Sequence, residues 1–185
     1  VPILELHLLR GYDDDAKRRL AEGLTDTVRT VVPADPEAIT IMIHERDPSQ
    51  YMRGRTHRSG APALPDPCQI VREYLDAMEA RDLASAEAML GPDFTMTFPG
   101  SGPMSTLQEL IDWSAPRYRF VRKTYEGFDL APTPGPAVVY ARGTLSGEWP
   151  DGTAFDGIRF IDRFELTRGR ITKQDVWNDI AEVRP

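Results

Sequence analysis

The sequence predicts an α+β protein made of two units in tandem, and three observations carry that expectation. The chain opens with a strand–helix–strand pattern. A proline-rich connector, Ser59-Gly60-Ala61-Pro62-Ala63-Leu64-Pro65-Asp66-Pro67, interrupts it, semi-extended rather than freely flexible. Beyond the connector, helical patterns come first and strand patterns follow, the order expected of a curved antiparallel sheet wrapped on helices. The expected division is a β-α-β domain over residues 1–58, a linker at 59–67 and a second domain at 68–185.

In the opening strand, Leu4, Leu6 and Leu8 share one face, with Glu5 and His7 on the other, and Gly11 ends it. Asp13 can cap the helix that follows, while Asp14 and Asp15 favour its positive end. Leu20, Leu24, Val28 and Val31 or Val32 then recur at helical spacing until Pro33 and Pro36 stop the run. Ile39, Ile41 and Ile43 line one side of a second strand, with Thr40, Met42 and His44 on the other. A strand–helix–strand crossover implies parallel, right-handed pairing. Two strands and one helix bury too little surface to stand alone. Copies of the unit, or the rest of the chain, must complete a core, so a homo-oligomer is expected.

After the connector, Ile70, Val71, Tyr74, Leu75 and Met78 mark an amphipathic helix. Asp82 can cap a second helix, running to about Leu90 and broken by Gly91-Pro92. Phe94, Met96 and Phe98 alternate with Thr95 and Thr97 as a strand, and Ser105 or Thr106 opens a third helix. Strands are expected near 119–130, 137–149, 155–167 and 171–179. Turn chemistry at Pro134-Gly135-Pro136, Pro150-Asp151-Gly152 and Arg168-Gly169-Arg170 separates them. No internal repeat is present.

Composition narrows the partners. A formal charge of −7 and a pI near 5.0 argue against nucleic acid and anionic membrane. A single cysteine, Cys68, excludes an internal disulfide and fits a reducing compartment, so a cytoplasmic protein is expected. The opening apolar run is short and interrupted by Glu5 and His7, which fits neither a signal peptide nor a spanning helix. Without a metal-ligand cluster, a glycine-rich phosphate loop or a nucleophile triad, no cofactor and no metal are expected. The expected partner is a small-molecule substrate.

Pro2 is the first candidate for chemistry. A proline at a chain terminus is a secondary amine, and such an amine can move protons near neutral pH. Inside a chain it is an amide, and an ordinary first residue of a strand. Both readings stand, and Val1 divides them: if it is retained, the base chemistry is impossible. The segment Pro2-Ile3-Leu4-Glu5-Leu6-His7-Leu8-Leu9-Arg10-Gly11, an acid-started helix and Ile39-Thr40-Ile41-Met42-Ile43-His44-Glu45 resemble the 4-oxalocrotonate tautomerase family. The resemblance runs from Pro2 to Tyr51. It implies a catalytic N-terminal proline in short β-α-β units that pair and then assemble in threes, as a dimer or a trimer of dimers. Carried over by position, Pro2 matches the base. Tyr12 stands where an assisting arginine is usual, and Thr40 where a second arginine grips a substrate carboxylate. Tyr51 replaces a phenylalanine that keeps the amine's surroundings apolar. Arg53 and Arg55, with Arg58, could supply substitute charge from the following loop, or form a solvated basic loop. His7 and His44 read as packed, hydrogen-bonded histidines.

In the second domain, Tyr74-Leu75-Asp76-Ala77-Met78-Glu79-Ala80-Arg81-Asp82 early and Gly169-Arg170-Ile171 late resemble the nuclear-transport-factor-2-like fold, in its SnoaL-like (polyketide-cyclase-like) and ketosteroid-isomerase-like branches. The resemblance implies a cone-shaped α+β barrel. Asp162 shares strand parity with Ile158, Phe160, Phe164 and Leu166, so its carboxyl points inward. Such a group must be protonated, paired or at a cavity. The steroid-isomerase resemblance implies that Asp162 and Tyr74 donate hydrogen bonds to an oxyanion; that enzyme's protonated aspartate is a standard example of pKa tuning. The same resemblance puts the general base at Phe98, which cannot serve. A hydrogen-bonded structural pair is the other reading of Tyr74 and Asp162. Trp113, Trp149 and Trp177 read as packing.

Three functions follow from these residues. The first is a cofactor-free tautomerase or isomerase that moves a proton next to a carbonyl of a small, acidic organic substrate with Pro2 as base. The second is a small-molecule isomerase or cyclase working in the barrel, with the front unit serving oligomerisation. The third is a non-catalytic ligand-binding or assembly protein.

Overall fold

The computed structural model describes residues 1–183. They form two compact units, one spanning Val1–Leu64 and one from Pro65 onward.

In the first unit, β1 (Ile3–Leu9) and β2 (Thr40–Arg46) pair in parallel, with Leu6 opposite Ile43 and His7 opposite His44. Between them α1 (Asp14–Arg29) starts where the sequence places it, the Asp13 carboxylate accepting the Ala16 N–H at 2.8 Å. The helix stops at Arg29, capped at Thr30. Val31 and Val32 therefore lie beyond it rather than on its apolar stripe, and Val31 is exposed. After β2, β3 (Met52–Arg53) and β4 (Thr56–His57) form a small hairpin. Gly54 and Arg55 turn it in the left-handed region. No described residue of this unit is fully buried.

The second unit begins with α2 (Pro67–Glu79) and α3 (Leu83–Ala88), capped by the side chains of Asp66 and Asp82. Then come β5 (Leu90–Thr97), α4 (Leu107–Ser114), β6 (Phe120–Ala131), β7 (Ala137–Glu148), β8 (Ala154–Thr167), β9 (Arg170–Asn178) and α5 (Ile180–Val183). Thr106 and Glu109 close a capping box on α4. The sheet runs β5-β9-β8-β7-β6. The expected antiparallel meander occupies β6 to β9, and β5 adds a parallel edge against β9, so the sheet is mixed. One boundary differs from expectation. The second helix ends at Ala88, and Gly91-Pro92 lies within β5, where the register shifts between Leu90 and Thr95. Proline is tolerated there because the strand is at a sheet edge and irregular.

Curvature comes from bulges at Tyr125/Gly127, Leu145/Gly147 and Glu165/Leu166. Two glycines of β7 allow the close approach this bending requires. A Cβ at Gly143 would overlap the Thr124 carbonyl oxygen, and one at Gly147 would overlap the carbonyl of Phe120. The concave face is largely apolar. Val139, Ala141, Phe164, Leu166 and Ile171 meet Val71, Tyr74 and Leu75 of α2 and Leu107 and Leu110 of α4. Leu145, Trp149, Phe155, Ile158 and Phe160 form a second cluster. Trp149 packs on Phe155 as expected, whereas Trp177 points outward and is 54% exposed. Its strand parity is opposite to that of Val176, which faces the core.

Candidate functional site

The first unit divides its candidate residues. Pro2 lies just before β1, and its carbonyl accepts the Thr40 N–H at 3.0 Å, so Pro2 and Thr40 are neighbours. Tyr12 lies past the opposite end of β1, whose seven residues span roughly 20 Å. One copy of the unit therefore keeps Pro2 and Tyr12 apart. Tyr51, Arg53 and Arg55 follow β2 and are exposed, Arg53 and Arg55 on the hairpin and its turn. The histidines stack across the strand pair, ring centroids 4.9 Å apart, and among the described residues His44 Nε2 has no hydrogen-bond partner.

The second unit encloses a cavity of about 530 Å³ between the concave sheet and its helices. Tyr74, Phe98 and Asp162 all line it. Asp162 is fully buried, and its charge is paired: the Lys123 ammonium donates to Oδ2. The same oxygen lies 3.4 Å from Gln174 Nε2, and Gln174 Oε1 in turn accepts from the Tyr74 hydroxyl at 3.2 Å. Tyr74 and Asp162 are therefore not two free donors converging on one point. Gln174 bridges them, and Lys123 occupies the far end of the chain. Among the described residues Asp162 Oδ1 has no partner.

Strand geometry explains how Lys123 reaches Asp162. The two residues stand on β6 and β8, with β7 between them. β7 places Leu145 opposite Lys123 and Ala141 opposite Asp162, with only Gly143, between Tyr125 and Phe160, separating them on that face. The long lysine side chain crosses this low stretch, and its ammonium sits 4.5 Å from the centre of the Phe160 ring. Burial pushes the Asp162 carboxyl above its ordinary pKa, while the Lys123 charge and the bonds from Lys123 and Gln174 pull it back. Burial, and then the Asp162 charge, raise the Tyr74 and Tyr125 phenols, so both remain protonated donors at neutral pH.

Phe98 lies in the wall with its ring 5.5 Å from that of Trp113. It is an apolar wall element, as its side chain requires. Asp175 and Asp179 are on the outside, paired with Lys173 at 3.0 Å and Arg159 at 2.6 Å. Lys123 and Gln174 are the residues that sequence reasoning missed. For Lys123 a signal existed: Val121, Lys123 and Tyr125 alternate with Phe120, Arg122 and Thr124, which aims the lysine inward. For Gln174 the signal was masked, because the bulge at Glu165/Leu166 shifts the pairing of β9 against β8.

The comparisons with known proteins agree with this division. Residues 71–174, more than half of the chain, match the family model of the SnoaL-like domain. The chain belongs to the SnoaL-like family. Its front unit matches a second family model, tautomerase enzyme, over residues 2–56. Over 51 residues the chain is 33% identical to a probable tautomerase of Halalkalibacterium halodurans, covering 28% of this chain and 84% of that protein. The SnoaL-like unit shares its fold with a nuclear-transport-factor-2-like protein of unknown function from Burkholderia pseudomallei. That match has a TM-score of 0.55 at 22% identity and covers 64% of this chain and 95% of the other. A similar protein from Burkholderia thailandensis gives 0.53 at 20% identity, over 66% and 100%. A putative polyketide cyclase from Xanthomonas campestris gives 0.50 at 15%, over 63% and 92%. Among the described residues, no helix is long and apolar enough to cross a membrane.

Proposed function

We propose that the SnoaL-like unit is a cofactor-free isomerase or cyclase that moves a proton at a carbon beside a carbonyl, inside its own cavity. The observation that carries this is a fully buried carboxylate, ion-paired to lysine, in the wall of a largely apolar chamber. A structural pair would be cheaper to build from apolar side chains, since burying two charges costs several kcal/mol per ion before they attract each other. As substrate enters, the Lys123 ammonium turns to the carbonyl oxygen and stabilises the developing enolate. Asp162, relieved of its counter-charge in an apolar site, becomes a stronger base and takes the proton from the adjacent carbon. Gln174, anchored by Tyr74, keeps the carboxylate oriented. On reprotonation at a different carbon the substrate leaves isomerised, and the ion pair closes again.

The test needs no knowledge of the natural substrate. An enolisable aryl ketone such as 2-acetylnaphthalene is incubated with the protein in D2O, and deuterium uptake beside the carbonyl is followed by mass spectrometry. The intact chain accelerates uptake, and Asp162→Asn slows it on the order of 100-fold or more, the range of a lost general base. Equal uptake by both proteins would refute the proposal.

A second activity is favoured by a family match that opens at Pro2. In this reading the front unit ketonises small enol acids with the Pro2 amine as base, and copies of the unit come together to complete the site, because one copy separates Pro2 from Tyr12. Thr40, beside Pro2, contacts the substrate, while Tyr12, Tyr51, Arg53 and Arg55 contribute from neighbouring copies. The test compares a chain beginning at Pro2 with one that retains Val1, and with Pro2→Ala, on ketonisation of an aryl enol acid. Only the first is expected to turn over. Equal rates in all three would end this reading.

A further inference from the structure

The cavity's charges are lopsided in a way the proton transfer does not use. The chain carries a formal charge of −7, yet the cavity is lined by Arg81, Arg117 and Lys123 against only Glu79 and Asp162. Lys123 is taken by Asp162, and the Glu79 carboxylate accepts the Lys123 backbone N–H at 3.3 Å. Arg81 and Arg117 have no carboxylate partner among the described residues. In a protein this acidic, two unpaired guanidiniums on one cavity are unexpected on charge balance alone.

Arg117 is held in place, and Arg81 is exposed. Arg117 lies over the Trp113 ring, 3.9 Å from its centre, and donates to the Trp113 carbonyl. Arg81 follows the cap of α2 at a φ of +62°, in the left-handed region where glycine is the unstrained choice. The turn there would form more easily with glycine, so the arginine earns no place through backbone conformation. Arg81 and Arg117 line the same cavity as Tyr118; burial raises the Tyr118 phenol, and the two guanidinium charges oppose that rise. A third donor is available in the same wall: among the described residues the buried Trp113 Nε1–H has no acceptor. Trp113, Phe98, Tyr118 and Tyr125 supply flat apolar surface in the same cavity.

We infer that the cavity takes an organic acid with an aromatic or polycyclic body, its carboxylate gripped by Arg81 and Arg117 and its carbonyl end reaching Lys123 and Asp162. A carboxylate accepts hydrogen bonds only and fits the planar fork of a guanidinium, which is the group a wall of unmatched donors selects. This inference rests on the cavity being the reaction chamber. It adds the substrate's charge.

Isothermal titration calorimetry with two probes of one shape, 2-naphthoate and 2-naphthamide, separates the two claims. The intact chain is expected to bind the acid at least about tenfold more tightly than the amide, and the preference should shrink as salt rises from 50 to 500 mM (roughly a charge-assisted pair's worth of affinity). In the Arg81→Gln/Arg117→Gln double variant the preference disappears, while affinity for the amide is retained. Equal binding of acid and amide by the intact chain, or a preference that survives in the double variant, overturns the acid inference and leaves the deuterium-exchange test of the chamber standing. Binding of neither probe removes the chamber reading and this inference with it.

Discussion

The two units solve the problem of holding polar chemistry in opposite ways. The SnoaL-like unit closes over its own interior. Val71, Met96, Val139, Phe164 and Ile171 are shielded from water, and the Tyr74–Gln174–Asp162–Lys123 chain is set inside that shell. The front unit has an intact β-α-β pattern but no shielded residue, and it leaves Ile3, Met42 and Met52 at its surface. Hydrophobic pattern marks an apolar face in both, and for the front unit it already implied a core that the unit cannot complete by itself. The difference is the number of layers: a five-stranded curved sheet with helices in its concavity encloses volume, and a strand pair with one helix offers only a face. A buried charge is therefore sustainable inside the second unit, whereas the first, taken by itself, offers no such interior for a group such as Pro2.

The largest effect expected from breaking this contrast is at the ion pair. Lys123→Met leaves a buried carboxylate without its counter-charge and should cost about 3–5 kcal/mol at pH 7.5 in urea denaturation. The sign of its pH dependence follows from burial. A carboxyl whose folded pKa lies above its unfolded value loses stability as pH rises through the folded value, and removing Lys123 raises that value further. The deficit of Lys123→Met should therefore shrink as pH falls from 7.5 to 5. Lys123→Met/Asp162→Leu should recover most of the loss, because an apolar replacement leaves no charge buried. A deficit independent of pH would mean that Asp162 is solvated, contrary to the closed interior described above.

Much of this was legible in the sequence, and the reasons for the gaps are local. The caps at Asp13, Asp82 and Thr106 are short-range hydrogen bonds, so residue type and spacing suffice to find them. The inward Asp162 was legible from strict alternation along β8. Its partner was not identified, because Lys123 is 39 residues away and the contact depends on small residues at Ala141 and Gly143 of an intervening strand. The parallel edge formed by β5 was invisible for a similar reason. Pairing between the first and last strands of a unit leaves no mark in either strand's own pattern. In the front unit the residues carried over by resemblance lie in the expected order along the chain, yet order does not bring Pro2 and Tyr12 within reach of each other.

A smaller effect tests the open unit. If further copies cover its exposed apolar side chains, the full chain should sediment as a species well above its 20.8 kDa mass. Met42→Asp, on the strand partnering β1, should then shift it toward the monomer, since a charge buried at an interface core is disfavoured. The thermal transition of the SnoaL-like unit should be unaffected. A chain that sediments as a monomer at all concentrations would end the reading in which further copies enclose Pro2.

The smallest effect is at Cys68, which reports how firmly the closed unit is sealed at its first helix. Its N–H is capped by the Asp66 carboxylate at 2.9 Å, and its thiol is half-buried against the core. Burial, then the negative charges of Asp66 and Asp129, push the thiol pKa up to about 11. The thiolate is the species that reacts, so alkylation by iodoacetamide at pH 7.5 should be about a hundredfold slower than for a free thiol. The rate should rise close to tenfold per pH unit until the pH approaches that raised value. Asp66→Ala removes both the cap and one of the opposing charges, and these act in the same direction: the helix end loosens and the thiol becomes easier to ionise. Faster labelling in that variant, without a change in the overall unfolding transition, would show that the first turn of α2 opens independently of the core. Labelling of the intact chain at the free-thiol rate would instead mean that this edge of the unit is not closed, which would weaken the contrast with the front unit where the chain passes from one to the other.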